Sequence, residues 1–415
     1  MRRTAKSGFN GLRWGYLGHV YTVEVISKDE YWWFLRKHPE ASYQQTPEWG
    51  DARRAQWEPE LIGWFDQQSR VHAVAVLRYR RVPGTSRSFA FIPQGPLLDW
   101  NDPHVAEQLA ALGHYLRSRG VFGVRITPVV SLRKWDAATV KAGLADPEVS
   151  RISDMTPTEI SPIGTRLVST LRAAGWREAP EDAQSDASHP RFNFWLHLQG
   201  RSEGAVLAGM TKAWRKGIRR ADRLGVKLLP GSGQDLDDVY RLYTETAHRN
   251  AFAAQPYSYF EAMWETLGNG FPGRFNMHIA QHEGSAVAVL ATAQVGGRAE
   301  GVLSAMSMER PDLRPSNAAY WSIIQQAIGD KADLLDLGGV DDTVDDQDPA
   351  AGLVRFKAGM GADAYEYIGA WDLPLQPWLY AAFTRVLPLY AALGTQVRRI
   401  NTRTTVLRPG RAKTS

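Results

Sequence analysis

Apolar positions in the first third of the chain switch between two periods. From Lys28 to Leu35 they fall on one helical face, whereas Leu61 to Phe65 and Val71 to Tyr79 read as strands. A Pro83-Gly84 pair separates the second strand from Ser88 to Ile92, which predicts a hairpin. After Pro93-Gln94-Gly95-Pro96 the spacing predicts a helix from Pro103 to Arg119, closed by Gly120, and then a strand from Val121 to Thr127. Strands recur near Phe192 to Leu198, Val226 to Leu229, Phe275 to Gln281, Ala286 to Val295 and Ala299 to Ala305. Helices fall between them at Ala205 to Leu224, Leu236 to Asn250, Ser258 to Gly268 and Asn317 to Lys331. The order of strand, helix, strand meander, helix, strand thus occurs twice. No close sequence repeat accompanies it, so the expectation is two mixed α/β domains of similar build, divided after Ser161, where Pro, Ser and Thr thicken. The stretch from Ala179 to Pro190 has the weakest pattern and reads as a loop.

Composition narrows the chemistry. A chain of 415 residues calls for two cores, and a 44% hydrophobic share is enough to fill them. With no cysteine, disulfides, thiolate nucleophiles and thiolate-rich metal sites are excluded together. The basic start Met1-Arg2-Arg3 is followed by no apolar run, and no stretch reaches the eighteen or so uncharged apolar residues of a membrane span. The expected location is therefore cytoplasmic. Charge adds a second feature: the net +5 is uneven, because no acid occurs from Leu373 to Ser415 while that segment carries six arginines and Lys413 behind Trp378, Tyr380 and Phe383. Peripheral contact with an anionic membrane and a loose basic tail both account for this segment.

The densest local feature is Lys212, Arg215, Lys216, Arg219, Arg220 and Arg223, relieved only by Asp222. At helical spacing these six cations form two adjacent rows, which favours an anionic partner (diphosphate, tRNA backbone or lipid head group) over a merely solvated face. Arg355-Phe356-Lys357-Ala358-Gly359 follows an acidic run of Asp341, Asp342, Asp345, Asp346 and Asp348. A lysine there suits an oxyanion. The aspartates read as turn and helix-capping acids more readily than as a cation site, since their spacing is not that of a calcium loop. Asp99 follows a rigid turn, where it either positions an amine nucleophile or caps the next helix. Trp49 and Trp57 flank Arg53 and Arg54, an arrangement that suits phosphate contact beside an aromatic face, although each tryptophan alone reads as core.

Taken in order, these pieces resemble the FemABX family of non-ribosomal peptidyl transferases. The resemblance runs from about Val23 to Asp372 and is carried by Gln45-Thr46-Pro47-Glu48-Trp49 with Trp57-Glu58-Pro59, by Pro93-Gln94-Gly95-Pro96-Leu97-Leu98-Asp99, by Ala213-Trp214-Arg215-Lys216-Gly217-Ile218-Arg219-Arg220-Ala221, by Asp336-Leu337-Gly338-Gly339-Val340 and by Arg355-Phe356-Lys357. It implies a tandem pair of acetyltransferase-like (GNAT) domains, the first at 20–165 and completed by 360–390, the second at 166–359, with a basic tail at 391–415. It also implies transfer of glycine, alanine or serine from aminoacyl-tRNA to the side-chain amine of the third residue of the muramyl pentapeptide, on lipid II or UDP-MurNAc-pentapeptide. The roles implied are catalysis by Lys357 with Phe356 and by Asp99 near the acceptor, and substrate binding by Arg220 with Arg53 or Arg54 at the diphosphate, by Trp57 lining the same site, and by Lys216 and Arg219. No metal or cofactor is implied. Arg53 and Arg54 stand where relatives carry a lysine, and between Val226 and Tyr259 there is room for one ordinary helix, so the branch implied lacks the long helical arm.

Two other classes remain open on sequence grounds: an acyltransferase using acetyl-CoA or a small-molecule acceptor in secondary metabolism, and a non-catalytic RNA- or membrane-binding protein. The first needs a glycine-rich turn at a helix start, and Arg223-Leu224-Gly225 lies at a helix end instead.

Overall fold

A computed structural model describes residues 21–82, 84–179, 190–250 and 252–384. The basic tail, the 180–189 part of the weakly patterned loop and Pro83 lie outside the described residues.

The strands form two sheets. The first takes the order β1 (Tyr21–Val25), β2 (Glu58–Asp66), β3 (Val71–Arg81), β4 (Ser88–Ile92), β5 (Val121–Ile126), β16 (Trp371–Pro374), β8 (Arg177–Glu178). The second runs β10 (Lys227–Pro230), β11 (Arg274–His282), β12 (Ser285–Val295), β13 (Arg298–Met306), β14 (Leu334–Val340), β9 (Phe192–His197), β15 (Asp363–Tyr367), β6 (Ser131–Trp135), β7 (Glu159–Ile160). Each contains an antiparallel meander followed by one parallel pair. In the first sheet β2, β3 and β4 lead to β5 through the helix Val105–Ser118; in the second β11, β12 and β13 lead to β14 through the helix Pro315–Gly329. A parallel neighbour requires a crossover, and the two long amphipathic helices supply it. The architecture is therefore a tandem repeat of one mixed α/β unit.

A cut at residue 165 does not follow the strands. β6 and β7 precede it and pair in the second sheet, β8 follows it and pairs in the first, and of the 360–390 segment expected to complete the first unit β16 does lie against β5 whereas β15 pairs in the second sheet. The return strand is held by charge. Asp372 is fully buried, and Arg125 on β5 grips its two oxygens in a bidentate pair at 2.7 and 2.8 Å.

Local signals account for most element ends. Ser27 and Glu30 form a reciprocal capping box that starts the helix Lys28–Leu35. The helix expected over 205–224 is two helices, Glu203–Gly209 and Lys212–Arg223. The break follows from Thr211: its N–H goes to Gly359 O, and its hydroxyl accepts the N–H of Trp214, so it begins a new helix rather than continuing the old one. Likewise the helix expected to Gly268 ends at Met263 and continues as a π-turn over Trp264–Gly268.

The halves share a core. Tyr31, Trp32, Phe34 and Leu35 from the first helix pack with Leu236, Val239, Leu242 and Phe260 from the second half and with β11 to β13. We expect Arg125→Met to leave Asp372 buried without its ion partner and to cost about 3–5 kcal/mol, read as a lowered denaturant midpoint at pH 7.

Candidate functional site

The basic helix Lys212–Arg223 buries Trp214, Gly217 and Ala221 and turns its cations outward. At Gly217 a Cβ would come within 2.7 Å of the Asn317 side chain, so glycine permits the close crossing with the helix Pro315–Gly329. Between these two helices opens a cavity of about 930 Å³. Lys216, Arg219, Arg220 and Arg223 line it from one side, Arg314 and the first turn of Pro315–Gly329 from another, and Trp214, Phe356 and Met306 form the apolar wall. None of its lining residues is acidic. Of the six cations expected in two rows from the sequence, four line the cavity. Arg215 turns back to the carbonyls of Ala208 and Met210, and Lys212 lies outside the lining. Arg220 is anchored by donating from Nε to Asp312 O at 2.6 Å.

Phe356 meets Trp214 at 4.7 Å between ring centroids and Tyr320 at 5.3 Å, while Trp214 Nε1 donates to Phe356 O at 2.9 Å. The next residue turns inward. Lys357 is only 3% exposed, and its Nζ donates to Gly338 O and Gly339 O, both at 2.7 Å. An ammonium has three N–H groups, so one remains for an incoming oxygen. Burial pulls the lysine down to about 7, opposed by the charge of Asp336.

Asp336 belongs to a buried polar network that joins the two halves. Its Oδ2 accepts from Arg298 Nη2 at 2.7 Å, and Arg298 Nη2 also donates to Gln94 Oε1 at 3.2 Å. Arg298 Nε lies 2.7 Å from Glu300 Oε1, an ion contact whose angle falls outside hydrogen-bond geometry, and Glu300 Oε2 accepts from Ser42 Oγ at 2.8 Å. Burial works against the Arg298 charge, yet Glu300 and then Asp336 hold its proton more firmly than usual. Burial likewise pushes Glu300 up to about 7, against the pull of Arg298. Gln94 is fixed at φ +49; its N–H donates to Thr127 Oγ1 at 2.7 Å, and Gln45 Nε2 donates to its carbonyl.

The remaining sequence candidates lie elsewhere. Arg53, Arg54, Trp57 and Asp99 do not line the cationic cavity, and Lys357, next in sequence to the lining residue Phe356, does not line it either. Arg53 sits 5.0 Å over the Tyr259 ring and bonds to Gln56, while Arg54 is exposed and paired with Asp51. Trp57 is buried between Arg80, 4.6 Å from its ring, and Phe91. Asp99 is exposed and accepts the N–H of Asn101; the helix after it is preceded by His104 and has no side-chain cap, so the capping role expected for Asp99 is not what it performs. The acidic run serves turns: Asp345 and Asp348 accept the N–H groups of Gln347 and Ala350, Asp342 takes Ser153, and Asp346 pairs with Arg355. Among the described residues no cluster of three or more His, Asp or Glu is gathered as metal ligands.

Sequence reasoning overlooked two groups. The first is Arg298 with Glu300, whose spacing of two puts both on one face of a strand that carries only Ser304 as a further polar side chain. The second is Arg78, buried on β3. Its Nη2 donates to Gln44 O at 3.1 Å, its Nε has no partner, and burial followed by repulsion from Arg53 pulls it down to about 9. Arg53 and Arg78 therefore form a second cationic spot, beside Tyr43 and Tyr259.

A FemAB family model matches residues 26–281, which is 256 of the 415 positions, and an acetyltransferase (GNAT) domain model matches 209–358. The chain is 24% identical over 360 residues to a UDP-N-acetylmuramoylpentapeptide-lysine N(6)-alanyltransferase of Weissella viridescens, covering 85% of this chain and 95% of that protein. It is 18% identical to a lipid II:glycine glycyltransferase of Staphylococcus epidermidis over 56% of this chain, and spans half the length of that relative. Among solved structures, the crystal structure of FemX superposes with a TM-score of 0.71 at 17% identity, covering 87% of this chain and 99% of that one, which places the fold.

The depressed lysine makes stability depend on pH. Below about 7 both the folded and unfolded chains carry the Lys357 proton, and the folded state bears the full cost of burying it. Between about 7 and 10.5 the folded state has lost that proton and the unfolded chain has not, so stability rises with pH. Denaturant unfolding should show wild type gaining on Lys357→Met across that window and running parallel to it below.

Proposed function

The chain belongs to the FemAB family, and on that premise we propose that it is an aminoacyl transferase that moves glycine, alanine or serine from aminoacyl-tRNA onto the side-chain amine of the third residue of the muramyl pentapeptide. The acceptor is carried on lipid II or UDP-MurNAc. The observation that carries this reading is a buried lysine with one unspent N–H immediately after the aromatic wall of an acid-free cationic cavity. The cavity suits the phosphates of an RNA acceptor end, because Lys216, Arg219, Arg220, Arg223 and Arg314 offer cations with no competing carboxylate in the lining. The alanyl- and glycyltransferase relatives support small donor residues.

In the reaction the acceptor nitrogen attacks the ester carbonyl carbon. A C–N bond forms, the tetrahedral oxyanion takes the free N–H of Lys357, and collapse breaks the ester C–O bond. The ribose oxygen leaves with the proton that the amine gives up. The ester is already activated, so positioning and charge stabilisation carry the rate and no cofactor takes part. Phe356 closes the donor side. The acceptor's diphosphate is assigned to Arg53, with Arg78 beneath it and Trp57 nearby; Arg54 is the weaker candidate because Asp51 neutralises it. Asp99 is assigned to the acceptor amine. Both substrates put the reaction on the cytoplasmic side. Peripheral membrane contact through the basic C-terminal segment goes with a lipid-linked acceptor, and no helix among the described residues is long and apolar enough to cross a bilayer.

The test is transfer itself, with charged tRNA and each acceptor, read by product mass. Lys357→Met should lower kcat by about 10²–10³ while leaving the Kd for an RNA acceptor-end hairpin within about twofold; unchanged turnover would remove the lysine from the mechanism. Replacing Arg219 and Arg220 by alanine together should weaken hairpin binding irrespective of sequence and reduce the log–log salt slope by about 2.

A further inference from the structure

Lys357 does not set its own position. Both of its hydrogen bonds end on consecutive backbone carbonyls, those of Gly338 and Gly339. The backbone that presents them is irregular. The pairing of β14 with β9 slips between Asp336 and Gly339, and Gly338 takes φ +80, a conformation that an L side chain resists. One carboxylate holds this irregularity in place. Asp336 Oδ1 accepts the N–H of Gly338 at 2.7 Å, so the same residue whose N–H is fixed offers its carbonyl to the ammonium. The other oxygen of Asp336 is held by Arg298 at 2.7 Å and by Asn193 Nδ2 at 3.4 Å. Asp336 itself is buried and does not line the cationic cavity.

The other charged groups around the lysine helix are already engaged. Arg355 donates to Val344 O and pairs with Asp346, and Asp342 is taken by Ser153. Lys141, on the helix Ala137–Gly143 that also packs against it, is exposed. Among the described residues Asp336 is therefore the charge that bears on the Lys357 ammonium.

We propose that Asp336 is a positioning residue for the transfer: through the Gly338 peptide it aims the two carbonyls that hold the Lys357 ammonium toward the oxyanion, and its negative charge favours that ammonium over the neutral amine. The inference rests on the role given to Lys357 above. It separates two tasks that one carboxylate performs, orientation through Oδ1 and charge through the whole group. Arg298 and Asn193 keep the carboxylate from swinging toward the lysine and forming a direct pair, which would occupy the N–H left for substrate.

The test uses the full chain with 13C,15N-labelled lysine, the Lys357 resonance being the one lost in Lys357→Met. Asp336→Asn should move the Lys357 titration midpoint below its wild-type value, leaving about tenfold less ammonium near pH 8. In parallel the alkaline limb of kcat should shift to lower pH, with KM within about twofold. Asp336→Glu should return the midpoint toward wild type yet leave kcat about tenfold low, because the longer side chain displaces the Gly338 peptide. A folded Asp336→Asn protein with the wild-type midpoint would overturn the proposal, as would a Glu variant with wild-type kcat, the second result deciding the matter if the Asn variant does not fold. The titration needs no substrate, so a wild-type protein that transfers nothing would sink the functional reading while this question is still answered.

Discussion

The structure depends on a buried guanidinium. Arg298 meets Glu300 and Asp336 from its own sheet and Gln94 from the first half, and Ser42 completes Glu300 from the same side. Burying one cation and two carboxylates is costly, and the arrangement holds because each charge finds a partner from a different segment. Its consequence is directional. The two halves must dock for Gln94 and Ser42 to reach Arg298 and Glu300, beside the carboxylate that fixes the Gly338 turn beneath Lys357. Docking of the two halves and placement of Lys357 are one event in this account, and the core shared by both halves gives that event its apolar share.

Charge is divided by task. Acids are consumed internally, by turns in the 342–348 loop, by Arg125 at the return strand and by Arg298 at the junction. Among the described residues, cations without an acid partner stand together in the cavity under the basic helix and in the Arg53–Arg78 spot. The two places are joined by contacts: Arg78 bonds to Gln44 O, Gln45 bonds to Gln94 O, and Gln94 meets Arg298 and through it Asp336 and Lys357. Under the proposed function this layout would give each of the two anionic carriers its own grip.

Much of the fold is legible in the sequence where periodicity is local. Ser88–Ile92 and Lys28–Leu35 fall where the pattern puts them, and the doubled order of elements shows as two like sheets. Strands with little pattern of their own were not seen. Glu159–Ile160, Arg177–Glu178 and Trp371–Pro374 are two to four residues long and exist because a remote edge accepts them, so no window along the chain contains their cause. The site divides in the same way. The basic helix declares itself by composition, whereas Lys357 stands out only through the Arg355-Phe356-Lys357 resemblance, since nothing local distinguishes it from a surface lysine. Arg298 and Glu300 lie at the start of a strand, and their partner Asp336 is a crossover helix away. Asp99 misled because an Asx turn and a helix cap use the same side-chain oxygen two or three residues before the elements diverge.

The central claim is that the cationic cavity delivers an ester carbonyl to the free N–H of Lys357. A crystal structure with an RNA acceptor-end hairpin joined to its amino acid by a stable amide tests this most directly. The account predicts terminal phosphates against Arg219 and Arg220 and the acyl oxygen within hydrogen-bond distance of Lys357 Nζ. Phosphates bound away from the basic helix, or an acyl group turned from the lysine, would contradict it.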